Sequence, residues 1–249
     1  MLVAFLAAYI AAVPLDAPHA AVLAVISRGE DAAGCDAAQK RKAAAGASIR
    51  TLGRVGGDAV ILADVQDPCI CGAQNCPSYA IRLAPGNARV LLSVFAIAVH
   101  DADRAQPLPG LIFDTHDSAL VAEETTYAFR GGTYVVVASA RVRATDRAHK
   151  PNAIPVRFAA GASSARLHGT ASLGWYDAYS FDAAKGQRVT VDGVSSPAQV
   201  TLTLFGPNGS SAPLTPGAAF TLSASGSYQL NVDSSSETDV PYRARLSIR

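Results

Sequence analysis

The stretch Tyr176-Asp-Ala-Tyr-Ser-Phe-Asp-Ala-Ala-Lys-Gly-Gln-Arg-Val189 decides the fold. Tyr179 and Phe181 alternate with Ser180 and Asp182, and after a Lys185-Gly186 turn Val189 and Val191 resume the alternation against Thr190. A period of two is that of a strand with one buried face, so the stretch predicts two half-buried strands joined as a hairpin. Working outward, Val200, Leu202 and Leu204 alternate with Thr201 and Thr203 before Gly206-Pro207-Asn208-Gly209. Tyr228, Leu230 and Val232 follow Gly226, and Tyr242, Ala244, Leu246 and Ile248 alternate with Arg243, Arg245, Ser247 and Arg249. Repeated strands with one polar face are the pattern of antiparallel sheets packed face to face, a β-sandwich.

Several short phrases in this region carry a family resemblance: Val156-Arg157-Phe158, Gly161-Ala162-Ser163-Ser164-Ala165, Gly169, Tyr176-Asp-x-Tyr-Ser-Phe181, Ala184-Lys-Gly-Gln187, Leu204-Phe-Gly-Pro207 and Ala224-Ser-Gly-Ser-Tyr-Gln-Leu230. Residues 166–249 resemble the bacterial pre-peptidase C-terminal type of β-sandwich, and the longer run 155–249 resembles the periplasmic inhibitors of g-type lysozyme. The resemblance implies a non-catalytic protein that inserts a sandwich-end loop into an enzyme cleft. It also implies a basic loop before the last strand. Here residues 233–240 read Asp-Ser-Ser-Ser-Glu-Thr-Asp-Val, an acidic loop. Electrostatic steering then opposes entry into an acidic cleft, and inhibition is expected to be weak.

The chain of 249 residues has room for two ordinary domains, of which the sandwich uses residues 156–249. Its formal charge is +1, from 21 basic and 20 acidic residues, which offers no net field for nucleic acid and no polybasic membrane anchor. Few charges and abundant small residues fit an exported bacterial β-protein of high-GC codon usage. The apolar run 1–13 ends at Pro14 and is too short to span a bilayer, so residues 1–20 are expected to be a signal peptide, with a cleavage site near Pro18-His-Ala-Ala21. The alternative reading of that run is a buried first helix. With no other stretch long enough to span, no stable membrane span is expected after processing, and the protein belongs in the periplasm or outside the cell.

Residues 22–145 form the first domain in this reading, an α+β unit that is mostly antiparallel sheet with one helix. The alanine-rich stretch 30–45 ends at Gly46 and reads as that helix despite Gly34. Short apolar or alternating runs at 58–65, 78–83, 89–99, 110–113, 125–129 and 133–138 read as strands. The Gly131-Gly132 pair suits a tight hairpin between the last two. Residues 146–155, polar and broken by Pro151 and Pro155, read as the linker.

The four cysteines, Cys35, Cys69, Cys71 and Cys76, all fall in the first domain. An even number in an exported chain predicts two disulfides, with three pairings open. The expected one joins Cys71 to Cys76 across the Gly72-Ala-Gln-Asn75 loop and Cys35 to Cys69. A zinc site is the rival, although Cys-x-Cys-x4-Cys lacks the paired knuckles of structural zinc sites. The segment Cys69-Ile-Cys-Gly-Ala-Gln-Asn-Cys76-Pro-Ser-Tyr79, with Gly132-Thr-Tyr-Val-Val-Val137, resembles small bacterial envelope domains that carry a Cys-Gly-x-x-x-Cys loop.

No nucleophile elbow, His-Glu-x-x-His or phosphate-binding glycine loop occurs, so the chain is expected not to be an enzyme and to need no cofactor. Asp101, Asp103, Asp114, His116 and Asp117, with His100, form the densest polar group. Asp114 and His116 share one face of an extended segment and are weak candidates for a metal site of a hydrolase, although turn residues at strand ends explain them as well. The candidate binding surface is Trp175, Tyr176, Ser234, Glu237 and Asp239 at one end of the sandwich. The expected partner is a lysozyme-like enzyme or, if Trp175 is an exposed platform, a cell-envelope glycan. Trp175 as a strand-entry plug is the alternative.

Overall fold

The computed structural model describes residues 15–102, 107–196 and 198–249. The apolar run 1–13 and Asp103 lie outside the described residues. The protein is mainly β, its strands paired antiparallel except that Ile154–Pro155 runs parallel to Tyr179–Ser180. The chain divides into two compact units, one made of the residues up to Thr115 with Thr126–Val137, the other of His116–Thr125 with Ala138–Arg249.

In the first unit α1 spans Ala17–Arg28, capped by Asp16, whose side chain accepts from the His19 backbone N–H. This helix occupies the segment read as a cleavage site. A cut after Ala20 would remove its cap and first turn while leaving Val22, Val25 and Ile26, which are buried. The single helix expected over 30–45 is instead a 3-10 turn, Glu30–Ala32, followed by α2, Ala37–Ala45. The break falls at Gly34-Cys35, where Asp36 restarts the helix with a capping box to Gln39.

Four antiparallel strands follow: β1 (Ser48–Val55), β2 (Asp58–Asp64), β3 (Cys76–Ala84) and β4 (Asn87–Ala96), paired in that order. One sheet face packs Ile61, Ala63, Tyr79 and Ile81 against Val22, Val25 and Ile26 of α1. The other packs Val60, Leu62, Ala80 and Leu91 against Leu108, Leu111, Phe113 and Tyr134. The sequence reading missed β1. A register shift between Thr51 and Gly53 breaks its alternation, and Gly53 sits at φ +154° where a Cβ would meet Leu108 and the Pro107 carbonyl at 3.0 and 3.1 Å.

The strand expected over 89–99 is two, β4 and β5 (Ala98–Asp101), with Ile97 between them donating its N–H to the Asp114 carbonyl. β5 begins a five-stranded sheet that continues through β6 (Leu111–His116), β7 (Val121–Arg130), β8 (Thr133–Arg143) and β9 (His149–Pro151). Gly131 and Gly132, at φ +60° and +89°, form the expected tight turn between β7 and β8.

The segment read as a linker therefore holds β9, and it holds β10 (Ile154–Pro155) as well. The remaining strands are β11 (Ser164–Ala171), β12 (Asp177–Ala183), β13 (Arg188–Asp192), β14 (Thr201–Phe205), β15 (Ser211–Pro213), β16 (Ala219–Thr221), β17 (Gly226–Asp233) and β18 (Val240–Ile248). They make two sheets, β10-β12-β17-β14-β15 and β11-β18-β13-β16. β12 and β13 are therefore not the hairpin expected from the opening stretch. β12 pairs with β17 and β13 with β18, so the Lys185-Gly186 turn carries the chain from one sheet to the other. Alternation reports which face of a strand is buried and is silent about which neighbour it pairs with. Leu167, Tyr179, Phe181, Val189, Val191, Leu202, Leu204, Leu230 and Leu246 fill the space between the sheets.

Candidate functional site

The Tyr-Asp-x-Tyr phrase, read from sequence as strand pattern, is a buried polar knot. Asp177 lies between the sheets at 4% exposure and accepts from the Tyr242 hydroxyl at 2.6 Å. The Tyr179 hydroxyl sits 2.9 Å from that of Tyr242 and 2.9 Å from the His168 carbonyl. Burial, aided for Tyr242 by its bond to Asp177, pushes both phenols up from the ordinary tyrosine range. The other Asp177 oxygen pairs with Lys150 at 3.0 Å, and the same ammonium donates to the Thr170 carbonyl. Burial pulls the Lys150 pKa down, and Asp177 resists. Gly169 makes room for the knot: a Cβ there would lie 1.9 Å from Asp177 Oδ2.

Trp175, at 2% exposure, is enclosed, with the Arg143 guanidinium 5.2 Å and the Lys150 ammonium 5.0 Å from the centre of its ring. An exposed aromatic platform is not what this geometry offers; the indole is a plug held by cations. The Arg141 guanidinium covers the Tyr176 ring at 3.7 Å. That side chain is itself buried, and its three nitrogens have no hydrogen-bond partner among the described residues. These three cations escaped the sequence reading. The one signal was Arg141 and Arg143 at the two-residue spacing of one strand face; Lys150 was hidden in the presumed linker.

The acidic loop is less free than its composition suggests. Asp239 binds Arg143 at 2.6 Å and accepts from the Ser172 hydroxyl at 3.0 Å, and these contacts hold its carboxyl below the usual range. Asp146 takes the other side of the same guanidinium, so Arg143 is held charged from both sides. Ser234 is buried and donates to the Gln199 carbonyl, while Asp233 accepts from the Ser234 N–H. Glu237 is exposed. Beside it opens a groove of about 280 Å³ lined by Leu120, Arg143, Thr145, Ser172, Leu173 and Glu237. Leu120 and Leu173 are 38% and 49% exposed there, and nothing in their sequence context singles them out.

The candidate metal residues are engaged separately. Asp114 is buried and meets His100 at 3.1 Å, Asp101 pairs with Arg50 at 2.7 Å, and His116 is half-buried. Among the described residues no group of three or more His, Cys, Asp or Glu is gathered as metal ligands would be. The cysteines form two disulfides, Cys35–Cys69 and Cys71–Cys76, the pairing expected.

No family model matches the chain, and no curated protein matches it. Among solved structures, the chain is similar to periplasmic inhibitors of g-type lysozyme. The inhibitor from Salmonella Typhimurium is 30% identical, with a TM-score of 0.35, over 40% of this chain and 100% of its own. A mutant of the Escherichia coli inhibitor is 28% identical, with a TM-score of 0.34, over 39% of this chain and 97% of its own. The Aeromonas hydrophila inhibitor is 26% identical, with a TM-score of 0.34, over 39% of this chain and 96% of its own.

Proposed function

We propose that this protein is an exported, non-catalytic binding protein of the bacterial envelope whose sandwich end docks on a g-type lysozyme and inhibits it. The observation that carries the reading is the groove at Leu120 and Leu173. Two exposed leucines edged by Arg143 and Glu237 give an apolar centre with a charged rim, the anatomy of a protein-docking surface. The groove is ordered before any partner arrives, because Arg143, which lines it, is held by Asp239 and Asp146 over the Trp175 ring. The enzyme class comes from the motif resemblance of residues 155–249 and from the inhibitors to which the chain is similar. In this reading the sandwich, 156–249, supplies Ser172, Leu173 and Glu237 to the binding surface, and Leu120, Arg143 and Thr145 of the segment 22–145 complete it. Two disulfides suit the periplasm or the exterior. A glycan partner loses its main support once Trp175 is enclosed.

The test is lysis of bacterial cell walls by g-type and chicken-type lysozymes with increasing protein. The proposal predicts saturable slowing of the g-type enzyme alone. No slowing at a large molar excess, or lysis by the protein itself, overturns it.

A further inference from the structure

The total charge of +1 conceals a one-sided surface on the sandwich. In the β11-β18-β13-β16 sheet, Leu167, Tyr242, Ala244, Leu246, Val189 and Val191 point inward, so the alternate positions point to solvent. Those positions include Arg166 and His168 on β11, Arg243 and Arg245 on β18, Arg188 on β13 and, just past β18, Arg249, all exposed. Register brings them together. Arg166 lies directly opposite Arg245, and Arg249 exchanges both backbone hydrogen bonds with Arg188. Asp192, across from Arg245 on the other side, is the acid of this face. Among the described residues no ion pair involves any of these arginines.

Like charges set directly opposite on neighbouring strands destabilise a sheet, so this arrangement is not explained by folding. Five arginines against one aspartate leave the face at +4, and a chain whose total is +1 then carries −3 elsewhere. The face gathers guanidinium groups from three neighbouring strands, and such groups bind phosphate through paired N–H donors. The exposed large apolar side chains, Leu120, Leu173 and Phe205 among them, lie off it, and its one ring is the His168 imidazole opposite Arg243.

We propose that this sheet face docks on a membrane surface through anionic phospholipid headgroups. A headgroup layer offers many phosphates to the five guanidiniums at once, and the +4 charge of the face draws it to an anionic bilayer. The contact is peripheral and electrostatic, with nothing inserted. It is independent of the lysozyme reading and uses another part of the sandwich.

The test is co-sedimentation of the full chain with vesicles of phosphatidylglycerol and phosphatidylcholine, and with phosphatidylcholine alone, at low ionic strength. Binding is expected to the anionic vesicles only. At about 0.5 M salt, where screening reduces the Debye length to a few Å, it should be lost. The triple substitution Arg166→Gln, Arg243→Gln and Arg245→Gln should weaken it by roughly fivefold per arginine, ~100-fold in all, while leaving the melting curve intact. Inorganic phosphate at millimolar concentration should not compete, since one ion cannot bridge the face. The proposal is overturned by equal binding of the triple variant, by no binding to anionic vesicles, or by phosphate or nucleic acid binding in protein that ignores the vesicles.

Discussion

The helix-bearing unit and the sandwich bury apolar surface by different means. The layer beneath α1 mixes small side chains, Ala32, Ala43, Ala44, Ala47 and Ala63, with Ile61, Val65, Ile70, Tyr79 and Ile81, and two disulfides close it. The sandwich has no cysteine. Its core holds leucines, valines, Phe181 and three tyrosines, of which Tyr242 bonds Asp177 and Tyr179 bonds Tyr242. The first unit adds covalent restriction of its unfolded chain to two apolar layers, whereas the sandwich relies on packing and on one satisfied polar knot.

The sharpest way to break the comparison is Gly169→Ala. The added methyl displaces Asp177 from Tyr242 and Lys150, a loss on the scale of a broken buried ion pair, about 3–5 kcal/mol, confined to the sandwich. Chemical denaturation followed through Trp175 should record it. Reducing the disulfides should do the reverse. Opening the Cys35–Cys69 loop should cost the first unit roughly 3–4 kcal/mol, while the separately expressed fragment Ala138–Arg249 melts unchanged by reductant.

The fragment 154–249 should also fold, with a cooperative melt and a β-type circular dichroism spectrum. It should be less stable than Ala138–Arg249 by about 2 kcal/mol or more, because it lacks Lys150 and leaves Asp177 short of its cation. Equal stability of the two fragments would show that the connector contributes nothing. Tyr242→Phe removes one hydroxyl from the knot and should cost about 1–3 kcal/mol.

The smallest effect is in alkali. Burial pushes Tyr79 and Tyr134 of the first unit up to about 12, and raises Tyr179 and Tyr242 of the sandwich as well. A folded pKa above the unfolded value of about 10 gives stability that is complete below pH 10. For Tyr79 and Tyr134 that contribution is lost between pH 10 and about 12. Lys150 acts oppositely, its burial cost fading as pH climbs toward the unfolded value. An ultraviolet titration should show Tyr242 ionising after Tyr79 and Tyr134, or only on unfolding.

Much of the sandwich was legible because each strand buries one face, and a period of two survives in Tyr179, Phe181 and Leu246. Pairing was not legible, since β12 and β13 look like a hairpin from alternation and belong to opposite sheets. In the first unit the bulge at Gly53 erased the period of β1. At the candidate site the sequence left Trp175 open between exposed platform and buried plug. The cations that cover Trp175 and Tyr176 are Arg141, Arg143 and Lys150, distant in sequence. The exposed pair Leu120 and Leu173 carried no pattern, because each sits in a turn, where no strand period applies.

The docking claim is tested most directly by calorimetric titration of the intact protein into a g-type lysozyme, with Leu173→Asp beside the wild type. A one-to-one complex is expected, weakened at least roughly tenfold by the buried charge in Leu173→Asp. Glu237→Arg should shift the affinity only a few-fold, in a salt-dependent way. The account is contradicted if the wild type gives no complex, or if Leu173→Asp binds as tightly as the wild type does.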